Sequence, residues 1–572
     1  MDLCDPCQAL EQEQLWRFAM KEDNFPLSKY ELTKLADKHA PVKSCTVTIH
    51  PESPWFNEDI RAAKRQRRKL ERQYRKTKLE VHRQIHNQQC NELASLIEAA
   101  KCKFYKEALS QATGQKEVFK VANRLFFKQK SLVLPSHVSL EELANRFSSF
   151  FSERIRTIRH SLRNSYDSRA DQPSNDPSEI SFPAFENFKS VTEVEIHKLV
   201  SRCPSKTCML DPLPTWLLKE NVDSLLPILT YMVNESLAEG VMPQQLKTGV
   251  VTPLIKKKNL DHELLKNYRP VSNLTFISKL IERIAATQFK DHMDSNGLHE
   301  VYQSAYRCFH STETALVKVQ NDILMGIDKD GASILILLDL SAAFDTIDHS
   351  VLLATLEGRF NVKGVVLKWF KSYISDRKQS VVIQGQMSLS SDLVLGYHKA
   401  QFWALCFFTA YTTPLGDIVR SFNLSMHLYA DDTQIYVSFK PLDSASTSFT
   451  FAAVQECVDC IKIWMTTHWL KLNDDKTELI VFRPQRLRAK LDLPTFSIWH
   501  CEITPSSQVR NLGVVFDSSL CMEPHVNGVC RSAYFHIRNI GLIRRYLDEK
   551  TTSALVQAKD IPWMKRNGNQ SS

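Results

Sequence analysis

Met426-His427-Leu428-Tyr429-Ala430-Asp431-Asp432-Thr433-Gln434-Ile435-Tyr436-Val437 is the stretch from which the fold can be read. Aromatic and β-branched residues dominate both flanks of the Asp pair. Each flank is therefore expected to be a short strand, with the pair at the tip of a tight hairpin. Adjacent carboxylates repel each other and are best tolerated where a cation or solvent lies between them. A solvated Asp-Asp turn is the plain alternative, because Asp is a common turn residue. Upstream, residues 333–340 (Ser-Ile-Leu-Ile-Leu-Leu-Asp-Leu) form an almost continuous apolar run, the pattern of a strand buried on both faces. Its one charge is Asp339. Left unpaired in such a strand, a carboxylate costs roughly several kcal/mol. It needs a cation: a lysine, although none is close in sequence, or a bound metal.

Asp339, Asp431 and Asp432 are three carboxylates that can meet at one sheet edge. Hard oxygen ligands with room for water suit Mg²⁺, with Mn²⁺ as a substitute. Two such ions about 4 Å apart clamp the attacking and leaving oxygens of an in-line phosphoryl transfer. Phe344 follows five residues after Asp339. Its ring either fills core or stacks under a sugar and rejects a 2′-hydroxyl, the group that separates RNA from DNA precursors. The sequence contains no GxGxxG and no GxxxxGK[ST], so phosphate chemistry through a P-loop is excluded.

With these residues in place, the chain resembles the reverse transcriptases of non-LTR (LINE-type) retrotransposons. The resemblance rests on KNYRPVSNL (266–274), QSAYRCFHSTETAL (303–316), LLDLSAAFDTIDH (337–349), YADD (429–432), LNDDKTE (472–478) and NLGVVFD (511–517), in that order. It implies an α+β right-hand polymerase fold of fingers, a palm with an antiparallel sheet, and a partial thumb. It also implies that Asp339 and Asp431 are metal ligands, Asp432 the third carboxylate, and the carbonyl of Leu340 a further metal contact. Phe344 matches the aromatic sugar gate, Arg307 a fingers cation that meets the triphosphate, and Lys476 a basic residue near the leaving group. The implied partners are an RNA template, a DNA primer or target DNA, and dNTPs, with two Mg²⁺ ions as cofactor. The oligomeric state is not legible.

The chain has 572 residues, with 43% apolar and 24% charged residues and a net charge of +9. The positive charge is concentrated. Residues 61–83 hold eleven Lys or Arg against two Glu, including Arg61, Lys64, Arg65, Arg67, Arg68, Lys69, Arg72, Arg75 and Lys76. No Pro or Gly interrupts the run, so one helix is expected to continue to about Ala112. Such a run is either a solvated face or a surface for the phosphate backbone, with a nuclear-import signal as a compatible second use. Leu140, Leu143, Phe147, Phe150 and Phe151 stand at helical spacing and are expected in a core. The expected organisation is a helical basic region (1–160), a polar linker (161–180), a helical lead-in (181–236), the reverse transcriptase domain (237–520), and a partial thumb with an unrelated tail (521–572). An endonuclease is expected upstream of residue 1 and the chain is expected to be truncated at both ends. Without a signal peptide or a membrane span, the nucleus and cytoplasm are the expected compartments. Cys4/Cys7 and Cys457/Cys460 lack the second ligand pair of a zinc finger.

The pattern breaks at Gly396-Tyr397-His398-Lys399-Ala400-Gln401-Phe402-Trp403-Ala404-Leu405-Cys406-Phe407-Phe408. Here the family carries Gly-Val-Pro-Gln-Gly-Ser-Val-Leu-Gly-Pro, whose small residues let template and nucleotide approach the backbone. Codons compatible with 397–407, read in the adjacent frame, spell Pro-Gln-Gly-Ser-Val-Leu-Gly-Pro-Leu-Leu-Phe. A one-base shift with a nearby compensating shift is therefore the expected origin, and impaired activity its expected consequence. Two other functions compete with this reading. One is a non-catalytic nucleic-acid-binding remnant that uses the basic helix. The other is a polymerase of a different lineage, against which the KNYRP and NLGVVFD segments count.

Overall fold

The computed structural model describes residues 55–111, 121, 134–165, 181–205, 207–257, 259–341, 343–393, 402–473, 476–484, 496–498 and 501–559. The basic run folds as a helical hairpin, not as one rod. Helix α1 (Glu58–Thr77) is capped by Asn57, whose side chain accepts the Ile60 N–H at 3.0 Å, and stops at Lys78 in the left-handed region (φ 55°). Helix α2 (Glu80–Ser110) then runs back along it. Ile60 and Ala63 bury against Leu93, with Ile97 and Ala100 alongside. That apolar seam needs two antiparallel helices, which is why the continuous helix expected to Ala112 is broken at 78–79. The far end of α2 shares a core with the C-terminal helices Glu523–Ile543 and Glu549–Lys559: Tyr105 and Leu109 pack with Ile540, Ile543, Tyr546 and Leu555. Tyr546 donates to Glu98 at 2.8 Å, and Arg545 pairs with Glu98 at 2.9 Å. The basic hairpin and the expected partial thumb thus fall in one compact unit.

The other unit spans Leu134–Met522. It begins before the boundary expected at 161–180, because helix α3 (Leu140–Ser165) buries Leu143, Phe147 and Phe151 against Val251, Tyr268, Val381 and Ile383. These partners lie on a mixed sheet of β1 (Thr248–Ile255), β2 (Tyr268–Asn273), β5 (Arg377–Ile383), β6 (Gln386–Met387) and β7 (Ser391–Leu393). In it β1 pairs antiparallel with β2 and parallel with β5.

A second sheet carries the Asp hairpin. Its strands β3 (Ala332–Leu338), β8 (Ser425–Tyr429), β9 (Asp432–Phe439) and β11 (Glu478–Phe482) are ordered β11-β3-β9-β8, all antiparallel. Period-2 alternation fills both faces. Ile334, Ile336, Leu338, Ile435, Leu479 and Val481 enter the large core built by the helices Phe276–Ser295, His349–Phe360, Gly364–Ile374 and Ser444–Thr467. Leu335, Tyr436, Ile480 and Phe482 face the helix Thr312–Asp330 and the hairpin 508–517. The apolar run at 333–340 reads as buried on both faces for this reason. It breaks at Asp339, after which β4 (Leu340–Ser341) pairs with β10 (Lys471–Leu472). An antiparallel palm-type sheet under helices, beside a separate mixed sheet, gives the α+β right-hand architecture.

Candidate active site

Register brings the carboxylates together. Leu338 lies opposite Thr433 and Tyr429 opposite Asp432, so the strand ends put Asp339 next to the hairpin tip. Ala430 turns the hairpin with φ +56°, a region an L side chain occupies at a cost of about 1–2 kcal/mol. Asp339 does not stand alone. Its Oδ2 accepts from Asn473 Nδ2 and from Lys476 Nζ, both at 2.9 Å. The cation it requires is thus supplied by a lysine 137 positions later, delivered by the turn after β10. The pair is open to solvent, Lys476 being 66% and Asp339 30% exposed, so it contributes about 0–1 kcal/mol.

Asp432 reaches solvent, yet its carboxyl is pushed up to about 6. Partial desolvation is the largest cause, followed by the charges of Asp431 and Asp339, with Lys476 opposing. Among the described residues no three carboxylate, His or Cys groups close onto one metal-sized point. The donor set nonetheless fits a divalent cation. It offers hard oxygens, and the charges of Asp431 and Asp339, which after desolvation help raise Asp432, are ones such an ion would offset.

Phe344 is half-buried, its ring 4.9 Å from that of Phe408 at 46°. Leu340 is buried and paired with Leu472. Arg307 donates from Nη1 to the carbonyls of Glu300 (3.2 Å), Val301 (3.4 Å) and Gln303 (3.2 Å), so it braces its own loop. Lys476 sits on Asp339. The basic residues of α1 lie in the other compact unit. Arg61, Arg65, Arg68, Arg72 and Arg75, spaced four and three apart, make one exposed face, flanked by exposed Lys69 and Lys76. Lys64 and Arg67 are half-buried, with the Lys64 ammonium 4.6 Å over the Phe56 ring.

The break at 396–408 is partly visible. Residues 394–401 lie outside the described residues. Trp403 and Phe407 are fully buried in the helix Phe402–Thr412, their rings stacked at 4.7 Å, and the Trp403 ring meets that of Phe370 nearly at right angles at 4.9 Å. The large Trp403 side chain is thus turned into the core and away from any close approach to the backbone. Its Nε1 is buried there without a hydrogen-bond partner.

Three contributors escaped the sequence reading. Gln303 accepts the Ala430 N–H at 3.1 Å, Asn473 holds Asp339, and Tyr306 (φ +63°) lies close enough to Asp431 and Asp432 for their charges to help push its phenol up, after burial. All three sit inside the motifs QSAYR and LNDDKTE, where the basic residues Arg307 and Lys476 carry the more obvious chemistry. Asn511 of NLGVVFD donates to Gln434 at 2.7 Å and ties the hairpin 508–517 to the sheet.

Asp339, Asp431 and Asp432 thus meet as a carboxylate cluster at one end of the antiparallel sheet. Residues 255–516 match the family "Reverse transcriptase (RNA-dependent DNA polymerase)". The probable RNA-directed DNA polymerase from transposon BS of Drosophila melanogaster is 24% identical over 424 residues, covering 73% of this chain and 44% of that protein. The RNA-directed DNA polymerase from mobile element jockey of Drosophila funebris is 24% identical, covering 62% and 38%. The corresponding X-element protein of Drosophila melanogaster is 23% identical, covering 53% and 32%. The chain spans less than half the length of these relatives. A solved chain of apo telomerase from Candida tropicalis, truncated from its C-terminal domain, is 13% identical with a TM-score of 0.33, covering 50% of this chain and 55% of that one. Over residues 255–516 this chain is therefore similar to reverse transcriptases, and the relatives it matches are those of non-LTR retrotransposons. No described helix is long and apolar enough to cross a membrane.

Proposed function

We propose that this chain is built for RNA-templated DNA synthesis, transferring a nucleotidyl group from a dNTP to a 3′-hydroxyl, with Asp339, Asp431 and Asp432 as the ligands of two divalent ions. The observation that carries the reading is the register that puts Asp339 beside the Asp431–Asp432 tip, where desolvation first and then the neighbouring carboxylates raise Asp432. Bound divalent ions supply charge neutralisation of the attacking hydroxyl and the leaving pyrophosphate. The chain's own residues hold the carboxylates in place: Asn473 and Lys476 orient Asp339. Lys476, paired with Asp339, also offers a cation for the leaving phosphates. Phe344 walls the sugar side, and Leu340 offers its carbonyl. The exposed arginine face of α1 binds the nucleic-acid backbone, and Arg307 contributes to the triphosphate side by fixing its loop.

We propose further that synthesis is impaired in this sequence, because residues 397–407 lack the glycines and proline over which template and nucleotide pass. The buried Trp403 with its unpaired Nε1 supports a foreign origin for this stretch. Mg²⁺-dependent extension of a DNA primer on an RNA template tests both parts. The chain as it stands should extend weakly, the chain carrying Pro-Gln-Gly-Ser-Val-Leu-Gly-Pro-Leu-Leu-Phe at 397–407 should extend well, and Asp431→Asn should abolish both. Salt-sensitive RNA binding with no incorporation by the restored chain would favour the non-catalytic reading.

A further inference from the structure

We propose that Gln303 is the positioning residue that aims Asp431, by holding the left-handed backbone of Ala430; this rests on the reading of the three carboxylates as metal ligands. The segment Tyr302–Ala305 behaves as an added edge strand on β8. The Tyr302 carbonyl accepts the Leu428 N–H at 2.9 Å, and the Ser304 N–H donates to the Leu428 carbonyl at 3.0 Å. Ser304 Oγ lies 2.8 Å from His427 Nε2, both groups buried. Between these points Gln303 is 4% exposed, and its Oε1 accepts two backbone N–H groups, Ala305 at 2.9 Å and Ala430 at 3.1 Å.

The choice of glutamine is informative. Its Nε2 is buried without a hydrogen-bond partner, which costs stability that a methionine of similar size would not forfeit. Packing alone therefore does not account for Gln303. What the carboxamide provides is an acceptor for the amide of a non-glycine residue at φ +56°, one position before Asp431. A backbone held in a sparsely populated region persists only where its surroundings over-determine it. The same loop continues into Tyr306 and Arg307, and Arg307 locks it by donating to the carbonyls at 300, 301 and 303. Loop and hairpin tip are thus coupled through one side chain, so displacement of the loop displaces the carboxylate.

The test uses the full chain and Mn²⁺ alone as probe, with free Mn²⁺ read by electron paramagnetic resonance, so it does not depend on polymerase activity. Asp431→Asn should lose binding. Gln303→Met should weaken it about tenfold or more, the usual effect of removing a group that orients a metal ligand. In hydrogen exchange, Gln303→Met should open the amides of 302–306 and 426–433 selectively, whereas a general loss of stability would open the whole sheet. Gln303→Met binding Mn²⁺ like the unaltered chain, while Asp431→Asn loses it, overturns the role of Gln303. Unchanged binding by Asp431→Asn overturns the metal-ligand reading, and the positioning role with it. If Gln303→Met does not fold, Gln303→Glu keeps the accepting oxygen. Near-normal Mn²⁺ binding by that variant supports the clamp, and a tenfold loss there refutes it.

Discussion

Replacing Asp432 by Asn should stabilise this protein in the absence of divalent ions, and the gain should grow with pH. The Asp432 carboxyl is raised from an ordinary value of 3.8 to about 6, first by partial desolvation, then by Asp431 and Asp339. A carboxyl raised on folding holds its proton more tightly in the folded chain than in the unfolded one. The penalty on folding is therefore absent below about pH 4, builds between about pH 4 and 6, and is complete above. That rise corresponds to about 3 kcal/mol at most. Asp432 reaches solvent, so screening reduces the realistic figure to about 1 kcal/mol. For a unit of this size that is a rise in melting temperature of about 1 °C at pH 7.5. Thermal melts of the unaltered chain and Asp432→Asn in chelator at pH 4, 5, 6 and 7.5 should show a difference that starts near zero and rises to that value. Excess Mn²⁺ at about 100 times its Kd should stabilise the unaltered chain by about 2.7 kcal/mol and the variant by less. A variant less stable at pH 7.5, or a difference that does not change with pH, would refute the claim that the carboxylates repel one another across the hairpin.

Glu282 is fully buried, accepts from Tyr373 Oη at 2.9 Å, and is raised by that burial to about 7. By the same sign argument its penalty is complete above about pH 7, so Glu282→Gln should gain about 1–3 kcal/mol at pH 8 and little near pH 5, read by urea denaturation. Trp403→Ala should cost about 3–5 kcal/mol through the cavity it leaves beneath Phe370 and Phe407. Trp403→Phe, which removes the unpaired Nε1, should cost clearly less in the same melts. Changing Arg61, Arg65, Arg68 and Arg72 together to Ala should weaken single-stranded RNA binding and lower the slope of log K against log salt by about 3 in fluorescence anisotropy. An unchanged slope would mean that the stripe is a solvated face.

The palm was legible because its signal is local. Ser333–Leu338 alternates between two cores, and the aromatic and β-branched residues on either side of Asp431–Asp432 specify a hairpin. The helical hairpin at 58–110 was not, because nothing at Lys78-Leu79 marks a turn; the pairing of Ile60 and Ala63 with Leu93 decides it. Asp339 looked like a carboxylate awaiting a cation, since its lysine is remote in sequence and meets it only through β4–β10 pairing. Gln303 was hidden for a similar reason. Its partner is a backbone N–H at 430, and a side chain chosen for a remote main-chain group leaves no periodicity to read. Trp403 reads as an obstruction when taken linearly, but the helix turns it into the aromatic core around Phe370 and Phe407.

Primer extension on an RNA template with Mg²⁺ and dNTPs is the decisive measurement, comparing the chain as it stands, the chain restored at 397–407, and each with Asp431→Asn. Synthesis should be weak for the first, strong for the restored chain, and absent once Asp431 is changed. Equal synthesis before and after restoration would contradict the claim of impairment, and synthesis that survives Asp431→Asn would contradict the assignment of the site.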